Sequence, residues 1–406
     1  MSSLAAVAEG SRHECVVIDD DPDICALISR VLAKIGIASV GISSADALVG
    51  ALKSVRPSII FLDVALDRSD AIDGIRILRQ TRFDGAVQLI SGRDTELLNN
   101  IKAIGERHGL KMLDPLQKPF RSEQLRRLFS AAGDAKAPSA VEVTTRFEFA
   151  PKKEEETPAP IIDLEEALEA HWLDMHYQPK VDLVRNRVVG AEGLARVNHP
   201  VHGILGPTSF LPNAPDKALH RLTEFVVRKA FLDWEVMRSV GRNLHLSVNS
   251  PVKALTAPGL ADLVREFHPR DKNWPGLIIE VTEEEAVREF DAIAEAAVQL
   301  RIYGVTLAID DFGSGYSSFA RLKQFPFTEL KLDRSFVVNC ADDPVNARIC
   351  QSIVDLARAS SAICVAEGIE TEKDWAALIR MGCHLGQGFF FGKPMSVGRL
   401  IDRSGA

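Results

Sequence analysis

At 406 residues, 46% hydrophobic and 26% charged, the chain is too long for one ordinary domain and apolar enough to bury at least two cores, so two folded units are expected. A formal net charge of -8, with no basic stretch carrying interleaved aromatics, argues against a grip on nucleic acid, and no DNA partner is expected. Residues 1–12 lack an apolar signal core and no run approaches the roughly 20 apolar residues of a bilayer span; Cys15, Cys25, Cys340, Cys350, Cys364 and Cys383 sit mostly in apolar runs without C-x-x-C spacing, so the expectation is a cytoplasmic location, reduced thiols and no membrane partner.

In the first third, β-rich runs at 15–18, 58–62 and 86–90 alternate with helix-period stretches at 24–35 and 97–108, which predicts an open parallel α/β sheet. Asp19 and Asp20 end the first run, Asp63 ends the second, and Ser91 and Lys118 end later strands. In such a sheet all five side chains converge on the carboxyl edge. Clustered acids there repel one another unless a hard cation such as Mg2+ sits among them. With that ion bound, Asp63 can attack phosphorus as a nucleophile, Ser91 can hydrogen-bond the transferred group and Lys118 can neutralise its charge.

These residues resemble the response-regulator receiver family over residues 12–131. The resemblance implies a flavodoxin-like doubly wound fold, phosphorylation of Asp63 by a histidine kinase or other phosphodonor, one Mg2+ on Asp19 and Asp20, and Lys118-Pro119-Phe120 as the Lys-Pro motif. Two departures stand out: residues 64–72 make a long, Asp-rich stretch before Asp73-Gly74, and Pro115 occupies the position where many receivers carry a switching aromatic. A remodelled loop beside the acceptor is expected.

Over 132–160 the apolar periodicity fades and Ala, Pro, Lys and Glu dominate, as in an interdomain linker. Alternation resumes over 161–403, with strand-like runs at 188–194, 244–248, 277–281, 305–309, 329–332 and 363–366, a length and count that suit a TIM-like (β/α)8 barrel. The strongest motif is Asp310-Asp311-Phe312-Gly313-Ser314-Gly315 after an apolar strand, paired acids suited to bridging two cations and glycines that allow close backbone approach. Glu192, Asn249, Glu280, Lys331 and Glu367 each lie near the C-terminal end of a predicted strand, where barrel enzymes assemble their sites. Oxygen donors without Cys or His favour Mg2+ or Mn2+ over zinc; His199, His202 and His384 are read as ordinary loop or core residues.

Together these motifs make the region similar to the EAL family of cyclic di-GMP phosphodiesterases. That resemblance implies two metals, one on Glu192, Asn249, Glu280 and Asp310 and the second on Asp310, Asp311 and Glu367. It also implies catalytic roles for Glu192, Lys331 and Glu367, substrate contacts from Gln178, Arg196 and Gln387, and loop anchoring by Glu283 with the turn 312–318. The expected reaction is hydrolysis of cyclic di-GMP to linear pGpG by a homodimer or higher homo-oligomer. The Glu-Ala-Leu signature reads Glu192-Gly193-Leu194, a lost methyl expected to loosen the strand slightly, and Pro215 stands where the family usually has Glu, so a helix at the pocket rim is expected to begin differently. The competing classes are a barrel that binds cyclic di-GMP without cutting it, which the intact ligand set argues against, and a DNA-binding regulator, for which no helix-turn-helix is found.

Overall fold

A computed structural model describes residues 14–120, 122–128, 160–313 and 325–404. The chain divides into two compact units, residues 1–140 and 141–406, and the assigned linker, up to residue 159, lies outside the described residues.

In the first unit, β1 (Glu14–Ile18), β2 (Ala38–Ile42), β3 (Ile59–Asp63), β4 (Ala86–Ser91), β5 (Lys111–Met112) and β6 (Leu116–Gln117) form a parallel sheet in the order β2-β1-β3-β4-β5, with β6 also on β4. This is the doubly wound order expected from the alternating pattern. Strand β3 is buried throughout, as a continuous Ile-Ile-Phe-Leu run must be when helices cover both faces of a parallel sheet. The helix Pro22–Ala33 starts where Asp21 caps the N–H of Asp23 and Pro22 takes the first turn; Asp94 likewise caps Thr95–Arg107. The final strand is split because Pro115 has no N–H to give the ladder: Leu113 N–H reaches Val87 O, and pairing resumes only at Ile90 with Leu116. Residues 64–70 fold into a tight turn in which Ala65 bridges Asp70, the Ser69 hydroxyl accepts the Ala45 N–H at 2.8 Å, and Asp70 with Asp73 forms a capping box on the helix Ala71–Gln80.

The second unit carries β7 (Leu173–Asp182), β8 (Arg187–His199), β9 (Gly203–Leu205), β10 (His245–Asn249), β11 (Leu277–Thr282), β12 (Val305–Phe312), β13 (Phe327–Leu332), β14 (Ile363–Ala366) and β15 (Leu385–Gly386). Pairing of β10 with β8 closes eight of them into a barrel, leaving β9 as an outer strand on β8. The closed TIM-like barrel is as expected, with one strand reversed: β7 runs antiparallel to both β8 and β15. The reason is local, since only residues 183–186 connect β7 to β8, too few for the crossover that a parallel pair requires.

Both departures from the family pattern have a local structural account. Gly193 does not leave a gap: a Cβ there would lie 2.1 Å from the Met175 methyl, so that side chain fills the space. Pro215 is the residue before the helix Asp216–Ser239, in extended conformation and without a side-chain cap, its carbonyl accepting from Ala218 and Leu219.

Candidate active site

At the C-terminal end of the barrel strands the acids converge on one ammonium. Lys331, on β13 and 1% exposed, places Nζ 2.5 Å from Glu280, 2.5 Å from Glu367, 3.0 Å from Asp310 and 3.6 Å from Glu192. Glu192 comes from β8, Glu280 from β11, Asp310 from β12, and Glu367 follows β14, so four strands deliver carboxylates to one point. Asn249, ending β10, donates Nδ2–H to Glu192 Oε1 at 2.6 Å. Gln387, just past β15, donates to Glu192 Oε2 at 2.6 Å and Glu367 Oε1 at 3.0 Å, while its own Oε1 is buried without a hydrogen-bond partner. Asp310, Asp311 and Glu367 bring ligand oxygens within 4.8 Å of one another.

The charges answer to this crowding. Burial, with Asp310 and Asp333 nearby, pushes Asp311 up to about 7; burial outweighs the attraction of Lys331 and pushes Glu367 up to about 8. Burial and the neighbouring Glu280 also raise Glu192. Glu280 goes the other way, because Lys180 and Lys331 together overcome its burial and hold it at about 2. Burial thus makes Asp311, Glu367 and Glu192 hold their protons more tightly than ordinary carboxyls, and such an all-oxygen set, beside a buried amide oxygen with no partner, fits hard divalent cations.

The remaining predicted residues surround this centre. Gln178 pairs in register with Glu192 across β7 and β8 and donates to Gly392 O at 3.2 Å. Arg196, four register steps along and opposite Asp174, donates to the Ala195 carbonyl; burial lowers it, against the pull of Glu192. Glu283 is buried at the start of the helix Glu283–Arg288 and accepts the Gly313 N–H at 2.8 Å, closing the turn after Asp311. Asp311 and Gly313 both have positive φ, 53° and 103°, so the glycine relieves one of two strained positions. Of the predicted turn 312–318, residues 314–318 lie outside the described residues.

Sequence reasoning missed Lys180 and Glu329, both buried beneath the acids. The available signal was Glu329 standing two residues before Lys331 in β13, since side chains at that spacing share a strand face.

In the first unit, Lys118 Nζ lies 2.7 Å from both Asp19 and Asp63, and the oxygens of Asp19, Asp20 and Asp63 lie within 4.8 Å of one another. Burial raises Asp63 despite Lys118. Ser91 is buried at the end of β4 and its hydroxyl accepts the Arg93 N–H at 3.0 Å.

Comparison with known families matches residues 162–394 to the EAL domain and residues 15–130 to the response regulator receiver domain. The chain is 40% identical over 242 residues to the bifunctional diguanylate cyclase/cyclic di-GMP phosphodiesterase MucR of Pseudomonas aeruginosa, covering 59% of this chain and 35% of that protein. It is 32% identical over 345 residues to the cyclic di-GMP phosphodiesterase RocR of the same organism, covering 82% of this chain and 83% of RocR. The chain thus spans about a third of MucR and most of RocR. Among solved structures, the PaMucR phosphodiesterase in complex with c-di-GMP matches at 39% identity and TM-score 0.54 over 58% of this chain and 97% of that one. The EAL enzyme Bd1971 in its cAMP and cyclic-di-GMP bound form matches at 28% identity and TM-score 0.54, over 59% and 67% of the two chains.

Proposed function

The chain belongs to the EAL family, with a receiver domain in the same polypeptide, and on that premise we propose that it is a two-component response regulator whose barrel hydrolyses cyclic di-GMP to linear pGpG. The observation that carries this reading is the gathering of Glu192, Glu280, Asp310 and Glu367 around Lys331, with Asn249, Asp311 and Gln387 at the same rim. Two cations, Mg2+ or Mn2+, one on Glu192, Asn249, Glu280 and Asp310 and one on Asp310, Asp311 and Glu367, would supply Lewis acidity and neutralise phosphate charge.

The chain's own residues account for the rest. Water, oriented by Lys331, attacks phosphorus in line as the bond to the leaving ribose oxygen breaks; Glu367 accepts the proton released by the water, and the leaving oxygen takes a proton from solvent to become the free hydroxyl of pGpG. Arg196 and Gln178 contact the substrate's phosphate and base, and Gln387 holds Glu192 and Glu367 in place through its two hydrogen bonds. Asp63, with Asp19, Asp20, Ser91 and Lys118 around it and one Mg2+, takes a phosphoryl group from a histidine kinase or other phosphodonor. Phosphorylation regulates the barrel, which works as a homodimer or higher homo-oligomer. No helix among the described residues is long and apolar enough to cross a membrane, the six cysteines are free thiols, and the proposed place of action is the cytoplasm.

Purified protein incubated with cyclic di-GMP and Mg2+ or Mn2+, its products separated by chromatography, tests the reading. Appearance of pGpG is expected. Tight binding with the dinucleotide left intact would replace it with a sensor.

A further inference from the structure

The interior of such a barrel is filled mostly by branched apolar side chains, yet one layer below the acidic rim stand Lys180 of β7 and Glu329 of β13, 2% and 3% exposed. Lys180 Nζ lies 2.9 Å from Glu329 Oε2 and 3.0 Å from Glu280 Oε1. The other oxygen of Glu280, Oε2, lies 2.5 Å from Lys331 at the centre of the rim. Each oxygen of this fully buried carboxylate therefore has its own ammonium, one beneath it and one beside the site. The depth follows from topology: β7 runs antiparallel to its neighbours, so Lys180, two residues after Gln178, sits deeper, and Glu329 sits deeper than Lys331 by the same step.

Stability does not explain the pair. Desolvating two charges is expensive, and well-packed apolar residues of similar volume commonly do as well or better. Removing one partner is different, because it strands a buried charge. What the pair does locally is fix Glu280: a carboxylate with a bare Oε1 could rotate and share both oxygens, whereas Lys180 ties one of them down.

We propose that Lys180, neutralised by Glu329, is a positioning residue that pins Oε1 of Glu280 and leaves Oε2 alone to face the cation site. This rests on the reading of Glu280 as a metal ligand. The pair orients that ligand without touching substrate, and its loss weakens cation binding rather than the fold.

The test uses the full chain carrying Lys180→Met with Glu329→Leu, beside Glu280→Gln. Mn2+ affinity is measured by calorimetry, thermal melting is followed in EDTA, and kcat and KM are determined for cyclic di-GMP. The double variant is expected to melt within a few degrees of wild type, to bind Mn2+ about 10–100-fold more weakly and to lose kcat more than KM. Wild-type Mn2+ affinity in the double variant, while Glu280→Gln loses it, overturns the positioning role. Wild-type affinity in Glu280→Gln overturns instead the reading of Glu280 as a ligand. Should the double variant not fold, Lys180→Gln with Glu329→Gln decides, since the amide still donates to Oε1 without charge. Its affinity is expected to fall by about threefold or more, between wild type and full loss, and an unchanged value refutes the proposal.

Discussion

The methyl group of Met175 occupies the place that the Cβ of residue 193 would take, 2.1 Å from the ideal position, with Tyr177 at 3.2 Å and the Ser247 carbonyl at 3.3 Å. Gly193 and Met175 are thus one packing unit across β7 and β8. The Gly193→Ala substitution, which restores the Glu-Ala-Leu signature, forces the Met175 side chain to move and costs about 1–2 kcal/mol. Met175→Ala alone leaves a cavity of similar cost or more. Because each change relieves the other, the double variant is expected to melt higher than the sum of the two single losses predicts. Additive losses in thermal melting would show that the two side chains are independent.

Glu192→Ala removes a whole carboxylate from the rim, and Asp310→Asn exchanges one carboxylate oxygen for an amide nitrogen. Glu192→Ala also strips the acceptor from Asn249 Nδ2 and one of the two acceptors from Gln387 Nε2. Both variants are expected to lose about 100-fold or more in hydrolysis of cyclic di-GMP, followed as pGpG by chromatography, with the secondary structure unchanged by circular dichroism. Near-normal turnover in either would place the chemistry elsewhere.

The crowded acids predict a pH dependence that metal opposes. In EDTA, Asp311 at about 7 and Glu367 at about 8 lie above their ordinary values of 3.8 and 4.5. A raised folded-state value contributes stability at low pH that is lost as pH rises through it. Glu280, at about 2, contributes at all pH above its ordinary 4.5 and does not change in this window. The chelated protein therefore melts lower at pH 8.5 than at pH 6. Cations need the deprotonated ligands, so the stabilisation conferred by Mn2+ grows over the same interval. Melting curves with EDTA and with Mn2+ at both pH values check this, and parallel curves would contradict it.

Glu283 holds the backbone rather than a cation: its Oε2 accepts the Gly313 N–H while Asp311, two residues earlier, carries a positive φ. Glu283→Ala is expected to lower kcat and to reduce the melting shift given by Mn2+. Glu283→Gln, whose amide oxygen still accepts, should recover most of both. Equal defects in the two variants would mean that the charge, not the hydrogen bond, matters.

The legible parts of this molecule were those written in local pattern. Short strands of Ile, Val and Leu closed by Asp19, Asp63, Asp310 and Glu367 announce themselves by period and by that polar residue, and Glu280 stands one residue inside the end of its run at 277–281. Strand β7 does not, because it faces polar Gln178 and Lys180 into the barrel and packs Met175 and Tyr177 on the other face, with Pro179 in the run. Strand β15 is two residues long, too short for any pattern. Lys180 and Glu329 lie 149 residues apart and meet only because the barrel closes, so no spacing rule joins them; Glu329 shares a strand face with Lys331, but Lys180 alone reads as a solvated charge. Conversely, Lys331 between Leu330 and Leu332 was readable, since a strand that buries both neighbours in one face directs the lysine to the other.

Asp63 is buried with Lys118 Nζ 2.7 Å away, and the same ammonium holds Asp19 at 2.7 Å. One cation thus spans both the candidate phosphoacceptor and the candidate magnesium ligand, and any phosphoryl group placed on Asp63 draws on the contact that Lys118 shares with Asp19. With acetyl phosphate and Mg2+, wild-type protein is expected to take up acid-labile phosphate and Asp63→Asn to take up none, because the amide lacks the nucleophilic oxygen. If that event is coupled to the barrel, the treated wild type hydrolyses cyclic di-GMP at a rate shifted by about fivefold or more from the untreated protein, while Asp63→Asn gives one rate with or without acetyl phosphate. Uptake of phosphate with indistinguishable rates would keep the acceptor and remove the coupling. Failure of wild type to take up phosphate would remove both, and would leave Lys118 as a structural tie between β1, β3 and the loop after β6.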